Sequence, residues 1–345
     1  MEFLKLLWNE REINILDSFE GVGKLLTARQ ISKKSGIEKS EVKKILLQLF
    51  ERGTIIKIAN QYGLIPLAPG VLELYYLKRG DPPKKQKKIA IKLREFMDTI
   101  LPPMFLDVGT PLLRPKLPLN AEEKLIEINE KIDSKSQVLP YELAGEMIKR
   151  NDIFVALPCQ CRLIAELAGE PCKRSSHELG CIAAGLVAQQ LISMGIGRKI
   201  TEKEAIEILN EAEKRGLIHN GTNSMGPESF MLICNCCPDC CALLTPTKKF
   251  GVPGVEKSNF IPNIDFDLCV KCEACIEKCP MDAIYHRWPM EADDSDEKII
   301  INYSKCIGCG VCSKNCPKNA IKMKKMENQS TIPEKPLIDI NIFRP

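Results

Sequence analysis

CVKCEACIEKCP at 269–280 and CIGCGVCSKNCP at 306–317 decide how the rest of the chain is read. Both follow C-x2-C-x2-C-x3-C-P, a run in which three close cysteines hold one iron–sulfur cluster and the fourth reaches a second. Eight of the 17 cysteines lie in these two stretches. The chain therefore has to be understood around at least two [4Fe–4S] clusters.

The two runs belong to an internal repeat over 259–325 with a period of 37 residues. Asp265–Cys269 aligns with Asn302–Cys306, and Cys279–Ile284 with Cys316–Ile321. An insert at 286–298, with an acidic stretch from Glu291 to Glu297, lengthens the repeat. On these residues the segment resembles the bacterial two-[4Fe–4S] ferredoxins. The resemblance implies that Cys269, Cys272, Cys275 and Cys316 hold cluster I, and that Cys306, Cys309, Cys312 and Cys279 hold cluster II. Small apolar pairs, Ala283-Ile284 and Ala320-Ile321, suit the packing that controls solvent access and potential.

Upstream, 119–256 holds the other nine cysteines: Cys159, Cys161, Cys172, Cys181, Cys234, Cys236, Cys237, Cys240 and Cys241. Adjacent thiols in a reducing compartment repel as thiolates unless metal holds them, so CxC and CCxxCC point to ligation rather than packing. The pattern predicts a helix over 141–150 and a buried strand over 153–157 that delivers Pro158-Cys159. It predicts helix over 181–194, a Thr201-capped helix ending at Gly216, and a strand over 229–233 that delivers Cys234. Two cysteine groups would then share one edge of a small α/β domain. One partition gives Cys159, Cys161, Cys172 and Cys181 to one cluster and four of the CNCCxxCC cysteines to another. A single cluster shared between the groups is equally compatible. Arg162 is read as an ordinary salt bridge, or as a donor to cluster sulfur or a bound anion. His177, between Cys172 and Cys181, is the one histidine worth testing as a ligand, although an exposed loop position is the plainer reading. P-C-x-C-R at 158–162 and C-N-C-C-x-x-C-C at 234–241 also resemble segments of multidomain 4Fe–4S proteins from anaerobic bacteria and archaea. That resemblance covers most of the chain and implies electron transfer without a substrate.

The N-terminal quarter carries the charge. Residues 24–94 hold 17 Lys/Arg against five acids, about +12, although the whole chain is only +4. An anionic partner fits such a face. Thr27 opens a helix that Gly36 ends. Ser40 opens a second, over 38–52, and a hairpin follows over 54–65. This order resembles a winged helix-turn-helix, with Lys39, Ser40, Lys43 and Lys44 near the exposed start of its second helix. No Arg, Asn or Gln stands in 38–47 to read a base edge, so protein docking is favoured over DNA binding. A helix over 84–101 follows, and then five prolines in 102–118 mark a linker or an extended wrapping segment. Glu20–Lys24 lacks the spacing and hydroxyl of a P-loop, and no zincin or nucleophile-elbow motif is present.

The expected fold class is α+β and multidomain. A winged-helix-like domain spans 1–80, and a helix with Pro-rich linker 81–118. The cysteine-rich α/β domain spans 119–256, the dicluster ferredoxin domain 257–325, and a tail 326–345. The expected cofactors are two [4Fe–4S] clusters plus one or two further iron–sulfur clusters in the middle domain. The expected function is relay of low-potential electrons between these clusters and a partner oxidoreductase. Rivals are an oxidoreductase with a catalytic cluster in the middle domain, and a redox-responsive DNA-binding regulator. With no signal peptide and no convincing span, the expected location is the cytoplasm, with a redox protein as partner.

Overall fold

The computed structural model describes residues 2–107, 111–119, 142–223, 232–286 and 299–326. The start of the expected 141–150 helix, the start of the 229–233 strand, nearly all of the acidic insert and nearly all of the tail lie outside them.

Near the N-terminus, α1 (Glu2–Leu7) and α2 (Glu10–Leu16) precede β1 (Leu25–Thr27), α3 (Ala28–Ser35), α4 (Lys39–Glu51), β2 (Ile56–Ile58) and β3 (Gln61–Gly63). The strands form an antiparallel sheet in the order β1-β3-β2. Thr27 and Gln30 close a capping box on α3, and Gly36 leaves it in the left-handed conformation at φ 72°. The cap of α4 is Glu38, not Ser40: its carboxylate accepts from the Ser40 and Glu41 amides. The hairpin turns at Ala59-Asn60, so the return strand starts earlier than its apolar Leu64-Ile65 pair suggested. Val42, Ile45, Leu46 and Leu49 line the buried face of α4 against Ile15, Ile31 and Ile55.

A one-turn π-helix at Leu67–Val71 leads into α5 (Leu72–Lys78), then α6 (Pro83–Thr99) and α7 (Leu101–Met104). Ile89, Leu93 and Met97 of α6 are buried in one core with Val155, Leu163 and Ile164 of the cysteine-rich segment. Each such side chain contributes about 1.5–3 kcal/mol by leaving water, so α6 fastens the N-terminal quarter to the middle of the chain. The Pro-rich stretch is no free linker. Its residues Leu113–Pro115 form β4, which pairs with a strand a hundred residues later.

The middle segment supplies α8 (Ala144–Lys149), β5 (Phe154–Leu157), α9 (Gln160–Ala168), β6 (Cys181–Ala184), α10 (Gly185–Ser193), β7 (Arg198–Ile200), α11 (Glu202–Lys214), β8 (Ile218–Thr222), β9 (Leu232–Cys236) and α12 (Leu244–Phe250). With β4 these strands make a six-stranded sheet, β4-β8-β9-β6-β5-β7, in which every pair is antiparallel. The expected α/β pattern is thus an antiparallel sheet with helices packed on it. Residues 181–184 are strand rather than helix, because a short apolar run fits either until a partner strand claims it. Strands β5 and β9 run the same way, each antiparallel to β6, so Cys159, Cys181 and Cys236 come to one end of the sheet.

At the C-terminus, β10 (Phe260–Ile264) pairs with β13 (Ile321–Lys325), and β11 (Ile284–His286) with β12 (Ile299–Ile301). Helices α13 (Ala274–Lys278) and α14 (Val311–Lys314) complete two halves of the same plan. Buried polar pairs sew this unit to the sheet: Arg114 donates to Asn223 at 2.8 Å and Asn259 at 3.2 Å, and Lys325 pairs with Glu142 at 2.8 Å. Among the described residues no helix is long and apolar enough to cross a membrane.

Candidate iron–sulfur and metal centres

The repeat seen in sequence recurs in backbone detail. Asp265 Oδ1 accepts from the amides of Asp267 and Leu268, and Asn302 Oδ1 accepts from those of Ser304 and Lys305. Each turn aims the chain into its first cysteine. Three left-handed positions then recur 37 residues apart: Lys271 (φ 53°) and Gly308 (φ 68°), Glu273 (φ 63°) and Gly310 (φ 75°), Asp282 (φ 50°) and Asn319 (φ 51°). At or beside these bends, one peptide N–H in each half points at a cysteine sulfur. The Ala283 amide donates to Cys279 Sγ at 3.3 Å, and the Gly308 amide to Cys306 Sγ at 3.4 Å.

Two cavities result. One is walled by Cys269, Cys272, Cys275 and Cys316 with Ile264, Ile299 and Ile321. The other is walled by Cys279, Cys306, Cys309 and Cys312 with Ile284, Ile307 and Met323. Burial pushes the Cys275 thiol up to about 11 and raises Cys306, Cys309 and Cys312 too. Free thiolates are disfavoured in such walls, so metal must displace the protons. Four thiols, apolar walls and inward amides fit a [4Fe–4S] cluster in each cavity. The two differ in exposure. Cys272 is exposed beside Phe266, Leu268 and Val270, whereas a Cβ on Gly308 or Gly310 would collide with Ser258, Phe260 or Pro118. The first cavity thus faces solvent and the second is pressed against the rest of the chain.

The nine middle cysteines sort into two groups, and neither follows the sequence order. Cys159, Cys161, Cys241, Cys236, Cys234 and Cys181 form an open series in which each thiol interacts with the next, and no three of them lie within 4.8 Å of one another. Cys172, Cys237 and Cys240 lie apart from that series, all within 4.8 Å of one another. Partition by segment is therefore not what the fold brings together: each group draws on both segments. Cys172 joins Cys237 because the 169–180 loop folds back. Gly180 allows this, since a Cβ there would strike the Leu157 carbonyl and the Cys159 amide.

Arg162 stands between the groups. It is buried and donates to the carbonyls of Ser176 at 3.0 Å, Asn235 at 2.8 Å and Leu179, so it is a clamp on backbone. Burial works against its charge, but the thiols of Cys159, Cys237, Cys181 and Cys236 outweigh burial and raise its pKa. His177 is not with the sulfurs. Its ring pairs with Glu166 at 2.7 Å and Glu178 at 3.0 Å, and its carbonyl accepts from the Cys159 amide. Cys172 is held far below the usual thiol range by Cys237 and Cys240.

Two further residues had no signal in the sequence. Asn220 is fully buried in β8, and both polar atoms of its amide lack a nitrogen or oxygen partner among the described residues; Cys236 is its neighbour. An amide in that position is a donor suited to sulfur. Asn235 bonds His219 Nδ1 at 2.7 Å and the Gly180 carbonyl at 2.8 Å, fixing the strand between Cys234 and Cys236. His219 in turn meets Glu213 at 3.2 Å, and Glu213 pairs with Lys314 of α14 at 2.8 Å. The cysteine-rich strand and the ferredoxin helix are thus joined through buried polar contacts.

The family of 4Fe-4S binding domains matches residues 262–285 and 299–322, the two halves just described. No curated protein matches the chain. Residues 262–322 carry a 4Fe–4S binding domain of the ferredoxin type, and the remainder of the chain has to be read from its own geometry.

Proposed function

We propose that this protein relays low-potential electrons between a partner oxidoreductase and a third cluster, through two [4Fe–4S] clusters of its C-terminal domain. Cluster I takes Cys269, Cys272, Cys275 and Cys316; cluster II takes Cys306, Cys309, Cys312 and Cys279. The third is held by four of the six serial cysteines, with the Asn220 amide donating to it. A donor to sulfide favours the extra electron of the reduced cluster and raises its potential.

One observation carries the reading. Cys236 and Cys241 are buried in the same apolar cluster as Cys275, Cys279 and Cys312, with Cys234, Cys306, Cys309 and Cys316 packed against it. Cysteines of the middle segment and of both ferredoxin sites thereby line one continuous apolar cluster. Electrons enter at the exposed Cys272 end, where a redox partner docks. The N-terminal strands and helices have the order of a winged helix. The exposed Lys39, Lys43 and Lys44 of α4 suit an acidic protein face, with no bidentate base reader among 38–47.

Iron and sulfide analysis of anaerobically purified protein tests this. Two [4Fe–4S] centres account for about eight irons, so about twelve are expected in the wild type. The Cys236→Ser, Cys241→Ser variant is expected to fall to about eight with the ferredoxin signals intact. A variant that keeps its full iron refutes the assignment.

A further inference from the structure

The three sulfurs outside the series carry a separate conclusion. We propose that Cys172, Cys237 and Cys240 hold a single zinc ion, as a site of its own beside the iron–sulfur centres. It stands whether or not the other six cysteines hold a cluster.

Spacing separates the two kinds of site. One ion with thiolates about 2.3 Å away in a tetrahedron puts its sulfurs about 3.8 Å apart. On a cubane each thiolate binds a different iron, and the sulfurs stand roughly 6 Å apart. Cys172 Sγ and Cys237 Sγ are 3.3 Å apart, and all three sulfurs fall within 4.8 Å. Among the described residues no other trio of possible ligands is so compact, the eight ferredoxin cysteines included.

The surroundings agree. Cys237-Pro238-Asp239-Cys240 has the C-x2-C spacing by which two thiols grip one ion. The amides of Arg174 and Ser175 face the Cys172 sulfur, as outer-shell donors do for a bound thiolate. Ser175, whose amide faces Cys172, also has a buried hydroxyl with no hydrogen-bond partner among the described residues, an oxygen available as a fourth donor. Three thiolates on a divalent ion leave one negative charge, which the Arg162 guanidinium faces at Cys237. Cys237 and Cys240 also pack with Ala165, Ala212 and Leu217 in an apolar cluster separate from the one lining the ferredoxin sites, so the ion sits off the electron path.

Elemental analysis and zinc-edge X-ray absorption on the full-length, anaerobically purified protein test the proposal. The expected result is about one zinc per chain with three sulfur neighbours at about 2.3 Å and one oxygen. Cys172→Ser and Cys240→Ser are each expected to lose most of the zinc while keeping all of the iron. Zinc absent from the wild type would overturn the proposal. So would four sulfur neighbours, loss of about four irons in Cys172→Ser, or a Cys172–Cys237 disulfide in the purified protein. The two readings fail separately: about eight irons with one zinc removes the third cluster and leaves this site, and about twelve without zinc does the reverse.

Discussion

At the scale of single residues, the two halves of the ferredoxin unit solve one backbone problem with different side chains. Both need left-handed bends between their cysteines, and the second half uses Gly308 and Gly310 where the first uses Lys271 and Glu273. A non-glycine residue in that conformation costs about 1–2 kcal/mol. The first half tolerates the cost because Lys271 and Glu273 point into solvent, whereas the second is packed too closely for a Cβ. Lys271→Gly is therefore expected to raise resistance of the iron-loaded protein to urea, by about 0.5–1 kcal/mol after the extra chain entropy of glycine is counted. Gly308→Ala is expected to abolish the cluster II signal in EPR while cluster I persists. Equal tolerance of alanine at both positions would show that the packing against Ser258 and Phe260 does not restrict the second half.

At the scale of elements, the joint between α11, β8 and α14 rests on Glu213. Its carboxyl is pushed up by burial but more strongly down by His219 and Lys314, so its pKa lies below the ordinary carboxylate range. A carboxylate lowered in the folded state stabilises the fold above its unfolded pKa, and the contribution fades as pH falls through the lowered value. Glu213→Gln is expected to cost about 3 kcal/mol near neutrality, because His219 and Lys314 lose their anion. The gap to wild type, read from urea midpoints, is expected to narrow below about pH 4.5. A gap constant down to that pH and below it would contradict the assignment. Elements with self-contained signals were legible in the sequence: the helix starts at Thr27 and Thr201, the stripe of α4, and the doubled cysteine run. The errors came where a distant partner decides. Residues 181–184 become strand only because β5 and β9 flank them. Cys172 leaves its sequence neighbours for Cys237 because a loop folds back, which no spacing records. Asn220 and Ser175 stand out only once burial shows their polar side-chain atoms without a nitrogen or oxygen partner among the described residues.

At the scale of the molecule, the cysteines run from an exposed rim inward. Cys272 lies at the surface, the second ferredoxin site is packed against the sheet, and Cys236 and Cys241 follow in the same apolar interior. Arg94 of α6 donates to the Cys240 carbonyl at 3.4 Å, tying the N-terminal helices to the cysteine-rich segment beside them. The proposed relay gives a reason for a basic module, an antiparallel sheet and a ferredoxin unit to share one chain: the sheet would hold the ligands at which the other two meet. Its central claim is that a cluster in the sheet exchanges electrons with the ferredoxin pair. EPR of the fully reduced, anaerobically purified protein tests that claim most directly. The account predicts a third reduced cluster whose spin couples to the ferredoxin clusters, a coupling absent from the Cys236→Ser, Cys241→Ser variant. A wild-type spectrum of two coupled clusters only, unchanged in that variant, would contradict it.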